Sequence, residues 1–152
     1  MPVSKLTDFL DDNNIKYVTA SHSPAYTSHE IAASAGIPAK ELAKTVIVKA
    51  DDRLVMIVLP ASHRILLLEL QKALGASHVQ LATEEEFKDI FPGCALGAMP
   101  PFGNLYGLEV IVAQRLTEDE EIAFNAGTHT ELIKLAYSDF ERLVKPRILK
   151  FT

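Results

Sequence analysis

Apolar positions recur first at helical spacing and then in alternation, and the changes of period outline the elements. Leu6, Phe9 and Leu10 share one face of a segment that Asn13-Asn14 closes, which predicts a helix over residues 4–13. Lys16 to Ser21 reads as a strand. Thr27-Ser-His-Glu30 has the form of a capping box, with Thr27 accepting from the third helical amide and Glu30 reaching back, and it opens a short helix that stops at Gly36. Two β-branched runs, Thr45 to Lys49 and Leu54 to Leu59, flank Ala50-Asp51-Asp52-Arg53 and predict a hairpin. Ser62 is placed to cap a helix from Ile65 to Leu74, which Gly75 ends. Val79 to Leu81 is a short strand, and a second capping box, Thr83 to Glu86, opens a helix that stops before Pro92-Gly93. Leu108 to Ala113, Glu121 to Asn125 and Glu131 to Ala136 read as strands. A third box, Ser138 to Glu141, opens a helix closed before Pro146, and Ile148 to Phe151 is a last strand.

These elements predict an α+β fold in a single domain on a mixed sheet. Strands fall mainly into hairpins, which excludes a doubly wound parallel reading. No dinucleotide or Walker phosphate-loop pattern is present. The 152 residues, 48% hydrophobic and 23% charged, suit one domain with a real core. No repeat or flexible linker interrupts them. No apolar run is long enough to span a bilayer, and Met1 to Asp12 carries three aspartates and no signal-peptide apolar stretch. The lone Cys94 excludes an intrachain disulfide and a cysteine-rich zinc site, so a cytoplasmic location is expected. The net charge of -5 speaks against a protein that grips long stretches of nucleic acid backbone: either RNA is not a partner or only a short piece of it is touched.

Three segments do not read as plain scaffold. Lys44 enters an apolar strand and shares a face with Val46 and Val48, where a lysine is costly to bury unless paired. It is a site cation or an edge lysine that snorkels to water. Gly97-Ala-Met-Pro-Pro-Phe-Gly103 is a stiff, uncharged loop that offers backbone groups and the Met99 and Phe102 side chains to a ligand, or else only connects elements. Ala126-Gly-Thr-His-Thr130 combines a tight turn with a histidine able to orient a hydroxyl or water, or with a merely structural one. Other candidates read as bland. Glu118 to Glu121 looks like a solvated turn, His63-Arg64 like an exposed helix start, and Lys145, Arg147 and Lys150 like a solvated strand end, or else a loose basic cluster that meets RNA phosphates. His22 and His29 lack companion ligands for a metal.

Together the three segments resemble the YbaK / prolyl-tRNA synthetase-associated (INS/ProX-like) family of aminoacyl-tRNA editing domains. The resemblance runs over nearly the whole chain. It begins with His22-Ser-Pro-Ala-Tyr-Thr27 and the helix Glu30 to Ala35, and continues through Ala43-Lys44-Thr45-Val46-Ile47-Val48. It includes the GxxxP loop Gly97-Ala98-Met99-Pro100-Pro101 and ends at Gly127-Thr128-His129. It implies one editing domain over residues 1–152, with a mixed, mostly antiparallel curved sheet flanked by helices. It implies a free-standing deacylase that hydrolyses a mischarged small amino acid, alanine, cysteine or similar, from a tRNA, often that for proline. The implied mechanism is metal-free, cofactor-free and substrate-assisted, a terminal ribose hydroxyl helping to activate water. Lys44 would position the adenosine phosphate or the aminoacyl group, Gly97 to Pro101 would hold the substrate through backbone, and His129 with Gly127 and Thr128 would place the ribose. His22 and Thr27 are further implied contacts. Thr45 stands where some relatives have Asn, which bears on substrate preference. The implied partner is a mischarged aminoacyl-tRNA held at its 3' CCA end, with an aminoacyl-tRNA synthetase a further candidate and neither membrane nor DNA involved.

The chemistry is reasonable without a strong nucleophile. An ester is already activated, and positioning alone contributes about 7–11 kcal/mol in favourable cases. Backbone amides at Gly97 or in the Gly127 turn are candidate oxyanion donors. Editing is needed because one methylene gives a synthetase only about 1–3 kcal/mol of discrimination. The alternatives are a non-catalytic tRNA- or nucleotide-binding module of the same fold, and a hydrolase of another small ester or amide.

Overall fold

The computed structural model describes residues 3–21, 36–38 and 40–152. Helix α1 (Ser4–Asp12) buries Leu6 and Leu10 as its period predicts, and strand β1 (Tyr17–Ser21) follows. The predicted hairpin forms from β2 (Ala43–Ala50) and β3 (Arg53–Pro60), paired from Ala43↔Pro60 to Ala50↔Arg53. Helix α2 (Leu67–Leu74), strand β4 (Val79–Leu81) and the short helix α3 (Glu84–Phe87) come next. Strands β5 (Glu109–Ala113), β6 (Glu121–Asn125) and β7 (Glu131–Ala136), helix α4 (Tyr137–Val144) and strand β8 (Arg147–Leu149) complete the described chain. The capping box predicted at Thr27–Glu30 and its helix lie outside the described residues.

The α+β class is as predicted, with the strands divided between two sheets. One has the order β1-β7-β6 and is antiparallel throughout. The other has the order β4-β2-β3-β5-β8, antiparallel on the β4 side and parallel from β3 to β8. The residues just before β2 join them: Leu42 bridges Ala123, whose amide donates to the Glu41 carbonyl at 2.9 Å, and the Ala61 amide donates to the Leu42 carbonyl at 2.7 Å. Strand alternation then assigns two cores. Ala43, Ile47, Met56, Val58, Val110 and Val112 face the main one, with Leu6, Phe124, Ile133 and Phe140. Val48, Val55, Ile57 and Ile111 face the other, which Leu70 of α2 and Phe151 cover.

Three helix starts test the local signals. At Thr83 the capping box is real: the hydroxyl accepts from the Glu86 amide and the Glu86 carboxylate accepts from the Thr83 amide at 2.9 Å. The helix it opens is only one turn long, shorter than predicted. The box at Ser138 is not used, because α4 already begins at Tyr137 with Ala136 as its cap, and Glu141 accepts instead from the Tyr137 hydroxyl at 3.2 Å. Ser62 caps nothing: α2 starts at Leu67, since Leu66 is extended and its amide donates to the Phe151 carbonyl at 2.8 Å. A residue beyond the end of β8, whose predicted strand to Phe151 stops at Leu149, therefore holds Leu66 extended just before the helix.

The loop 94–103 is seated twice. Phe102, read as offered to a ligand or as part of a connector, is fully buried, with ring centroids 5.5 Å from Phe124 and 5.4 Å from Phe140. Upstream, the Ala95 amide donates to the Gly127 carbonyl at 2.8 Å and the Gly127 amide donates to the Ala98 carbonyl at 2.9 Å. Gly127 has φ +96, and a Cβ there would lie 3.0 Å from Val3 Cβ. A side chain would be strained in both conformation and space. Gly127→Ala is therefore expected to lower stability by about 1–3 kcal/mol, read as a shift of the urea midpoint; an unchanged midpoint would show that this glycine does not fix the seat.

Candidate functional site

The segment predicted to hold a ligand through its backbone is anchored from behind. Ala98, Pro100 and Pro101 are buried, so they support the loop and present nothing to the hollows bounded by described residues. Gly97, exposed and at φ +83, is the turn of the loop that faces outward. The structure brings His129 to it: a Cβ on Gly97 would lie 3.5 Å from His129 Cε1. His129 Nε2 is 2.9 Å from the Leu96 carbonyl, so that nitrogen carries the proton and donates. His129 thus holds the peptide next to Gly97, and its neighbour Thr128 is occupied locally, its hydroxyl 3.4 Å from that of Thr130 and from the Thr130 amide.

The two candidate oxyanion donors separate. The Gly127 amide is taken by the Ala98 carbonyl. Among the described residues the Gly97 amide meets only the Met99 thioether, at 3.3 Å. Sulfur is a weak acceptor, so a ligand oxygen can replace it at little cost. Gly97 and Met99 border a hollow of about 230 Å3 with Thr45, Ile47, Leu81, Ala82, Phe87 and Leu96, and Glu84 stands on its border. Its floor is apolar. Strand β4 pairs with β2 only from Val48 to Ala50, and the Ile47 carbonyl takes the Ala82 amide at 3.0 Å. The Lys44–Val46 stretch of β2 therefore has no described strand on that side. By ladder alternation the Thr45 main-chain groups point the same way as those of Ile47, toward this open edge.

Lys44 shares a face with Val46, as its spacing predicts, and that is the α2 side of the sheet. It borders a second hollow of about 250 Å3 with Val46, Arg64, Ile65, Leu67 and Leu81. The two hollows share Val46 and Leu81, so they adjoin across the β2 edge. Thr45 is on the side of Gly97; Lys44 is on the side of Arg64. Burial, and then the Arg64 guanidinium, push the Lys44 pKa below that of an ordinary lysine. Among the described residues no carboxylate lines this hollow.

His22 and Thr27 lie outside the described residues. Asp119 departs from the solvated-turn reading: its side chain is 6% exposed, 3.7 Å from Arg115, and desolvation raises its pKa. Cys94 is half-buried with its sulfur 3.6 Å from the Tyr106 hydroxyl, and burial pushes its thiol pKa up, which keeps it inert. Lys150 borders a separate hollow with His63 and Arg115, away from the Gly97 loop in sequence and in lining. Sequence reasoning missed Arg64, dismissed as an exposed helix start, and the walls Phe87 and Leu96. Arg64 is exposed as read but lines the same hollow as Lys44, Phe87 comes to the Gly97 hollow from α3, and Leu96 lines that hollow beside its chain neighbour Gly97. Among the described residues no three His, Cys, Asp or Glu side chains are grouped to hold a metal, and no helix is long and apolar enough to cross a membrane.

Comparison with known proteins shows the family and the fold. A model of the aminoacyl-tRNA editing domain matches residues 22–143, which include Lys44, the Gly97 loop and His129. The multifunctional Ser/Thr-tRNA deacylase ProXp-y of Escherichia coli (strain K12) is 32% identical over 98 residues, covering 64% of this chain and 58% of that protein. A proline--tRNA ligase of Bacillus cereus (strain AH187) is 30% identical over 82 residues, covering 54% of this chain and 14% of the ligase. The chain thus matches less than two thirds of either relative's length. Among solved structures, a candidate trans-editing enzyme for prolyl tRNA synthetase superposes with a TM-score of 0.81 at 20% identity, over 97% of this chain and 94% of that one, which shows the fold. With its family model spanning both hollows and the loop between them, this chain belongs to the YbaK-like aminoacyl-tRNA editing domain family.

Proposed function

We propose that this domain is an aminoacyl-tRNA deacylase that acts in trans, with residues 1–152 working as one editing unit. Water adds to the carbonyl of the ester, the bond to the ribose oxygen breaks, and a free amino acid and an intact tRNA leave. The observation that carries the reading is the Gly97 amide. It is held in place by the seated loop and by His129, left among the described residues with only a thioether acceptor, and set on the border of an apolar hollow of about 230 Å3. Such a donor lowers the barrier to a developing oxyanion because its orientation is fixed before the reaction.

The remaining roles follow the same logic. The acyl group would occupy the hollow between Thr45, Gly97 and Met99, whose size favours a small side chain. Ala98, Pro100, Pro101 and Gly127 would act by holding the loop, His129 and Thr128 by placing it beside the terminal ribose, and Lys44 by meeting the adenosine phosphate. His22 and Thr27 remain proposed contacts. A ribose hydroxyl would help to activate water, with no metal or cofactor in the step. Alanine and cysteine on the tRNA for proline are the first substrates to try, and the name of the deacylase relative adds serine and threonine. Contact confined to the CCA end agrees with a net charge of -5. The site of action is the cytoplasm, where tRNAs are charged, with a synthetase as a candidate partner.

Two outcomes test this. On a panel of alanyl-, cysteinyl-, seryl-, threonyl- and prolyl-tRNAs, the wild type is expected to release at least one amino acid, and Lys44→Ala to reduce kcat/KM by at least about 100-fold. Binding of these tRNAs without turnover would instead support a non-catalytic module. Stability should move the other way. A lysine pKa lowered in the folded state means that the charged form costs stability at every pH below that value, and the cost disappears as pH rises through it toward the unfolded value. Lys44→Met is thus expected to raise Tm at pH 7, by about 1–3 °C, with the gain fading in alkali. A fall in Tm at pH 7 would contradict the desolvated ammonium.

A further inference from the structure

Helix α2 is preceded and begun by apolar side chains that burial does not explain. Leu70 is fully buried, yet Leu66 is 50% and Leu68 72% exposed. With Ile65, Leu67 and Glu69 they border an open depression of about 440 Å3. Ile65 and Leu67 also line the Lys44–Arg64 hollow, so cationic and apolar surfaces are continuous along residues 64–68. The one carboxylate among the described residues that line it, Glu69, lies 3.7 Å from the Lys72 ammonium, which offsets its charge.

A ligand that satisfies this surface must carry anions at the Lys44–Arg64 end and flat apolar faces at the leucine end. Single-stranded nucleotides have that form, with phosphates for the cations and base faces for the side chains. Inorganic phosphate would use only the cations, and a hydrocarbon chain only the leucines. The geometry points to residues 64–68 as the seat of the unpaired 3' nucleotides of the substrate: Arg64 binds a backbone phosphate beside Lys44, and Leu66 and Leu68 carry base faces. This extends the deacylase reading, on which its physiological ligand rests, to residues that reading leaves without a role.

The test uses the whole chain and the trinucleotide CpCpA, titrated by NMR at several salt concentrations, with pyrophosphate as a competitor. Arg64→Gln is expected to weaken binding about five- to tenfold and to reduce the log–log salt slope by about 0.7, the value for one single-strand phosphate contact. Arg64→Lys should keep most of that slope. Leu68→Ser, at a position too exposed to disturb folding, should weaken binding about threefold and leave the slope unchanged. With a mischarged tRNA, Arg64→Gln should raise KM while kcat stays within about twofold. No binding of CpCpA by the wild type, binding unaffected by Arg64→Gln and Leu68→Ser, or equal competition by pyrophosphate would overturn the proposal. If the trinucleotide results hold but no tRNA is deacylated, the hydrolase reading fails and this one stands. If deacylation is robust but Arg64→Gln changes neither CpCpA binding nor KM, the reverse holds.

Discussion

The candidate site depends on a pair of reciprocal main-chain hydrogen bonds. Ala95 donates to Gly127, and Gly127 donates to Ala98. They tie the loop after α3 to the turn between β6 and β7, and His129 adds a side-chain hydrogen bond to the Leu96 carbonyl. Phe102 fixes the far end of the loop in the main core between Phe124 and Phe140. Between these anchors the Gly97 peptide has little freedom. Preorganisation of this kind is what a hydrolase without a strong nucleophile requires, since positioning and a fixed dipole must supply the rate. The side chains named in the family motif thus serve two purposes. Some shape the loop from within the core, and a few face the hollow.

A second constraint comes from the sheet. Strand β4 stops pairing with β2 at Val48, and the Lys44–Val46 stretch is left with one described neighbour, β3. Alternation sends Thr45 and Lys44 to opposite faces of that open edge. One face meets the Gly97 loop, and the other meets Arg64 and the start of α2. Among the described residues that hollow holds two cations and no carboxylate, and burial, then the Arg64 charge, lowers the Lys44 pKa. That arrangement costs the fold stability, a cost that the proposed phosphate ligand would offset.

Much of this was legible in the chain. The amphipathic spacing of Leu6 and Leu10, the β-branched hairpin and the Thr83 box are local signals, and they gave the elements in place. The Ser138 box failed because the same pattern can sit one residue inside a helix that starts at Tyr137, where propensity and packing of Tyr137 decide the start. Ser62 failed because the backbone beside α2 is recruited by Phe151, far away in sequence. The division into two sheets was not visible, since pairing of β1 with β7 is a long-range choice that no local pattern encodes. At the site, Gly97 and His129 were legible as unusual residues, but their contact was not. Of the two readings open for Phe102, a side chain offered to a ligand or part of a connector, burial decides for the second, and that choice needs the core that receives it. Arg64 was passed over because one charged residue at a helix start is ordinary without the lysine across from it.

The most direct measurement is a crystal structure of the domain with 3'-deoxy-3'-(alanylamino)adenosine 5'-monophosphate, whose amide replaces the scissile ester. The account predicts the alanyl group in the hollow between Thr45, Gly97 and Met99. Its carbonyl oxygen should accept from the Gly97 amide in place of the Met99 sulfur, and the phosphate should lie across the β2 edge near Lys44. An analogue bound with the Gly97 amide still on the Met99 sulfur, or seated away from this loop, would contradict it.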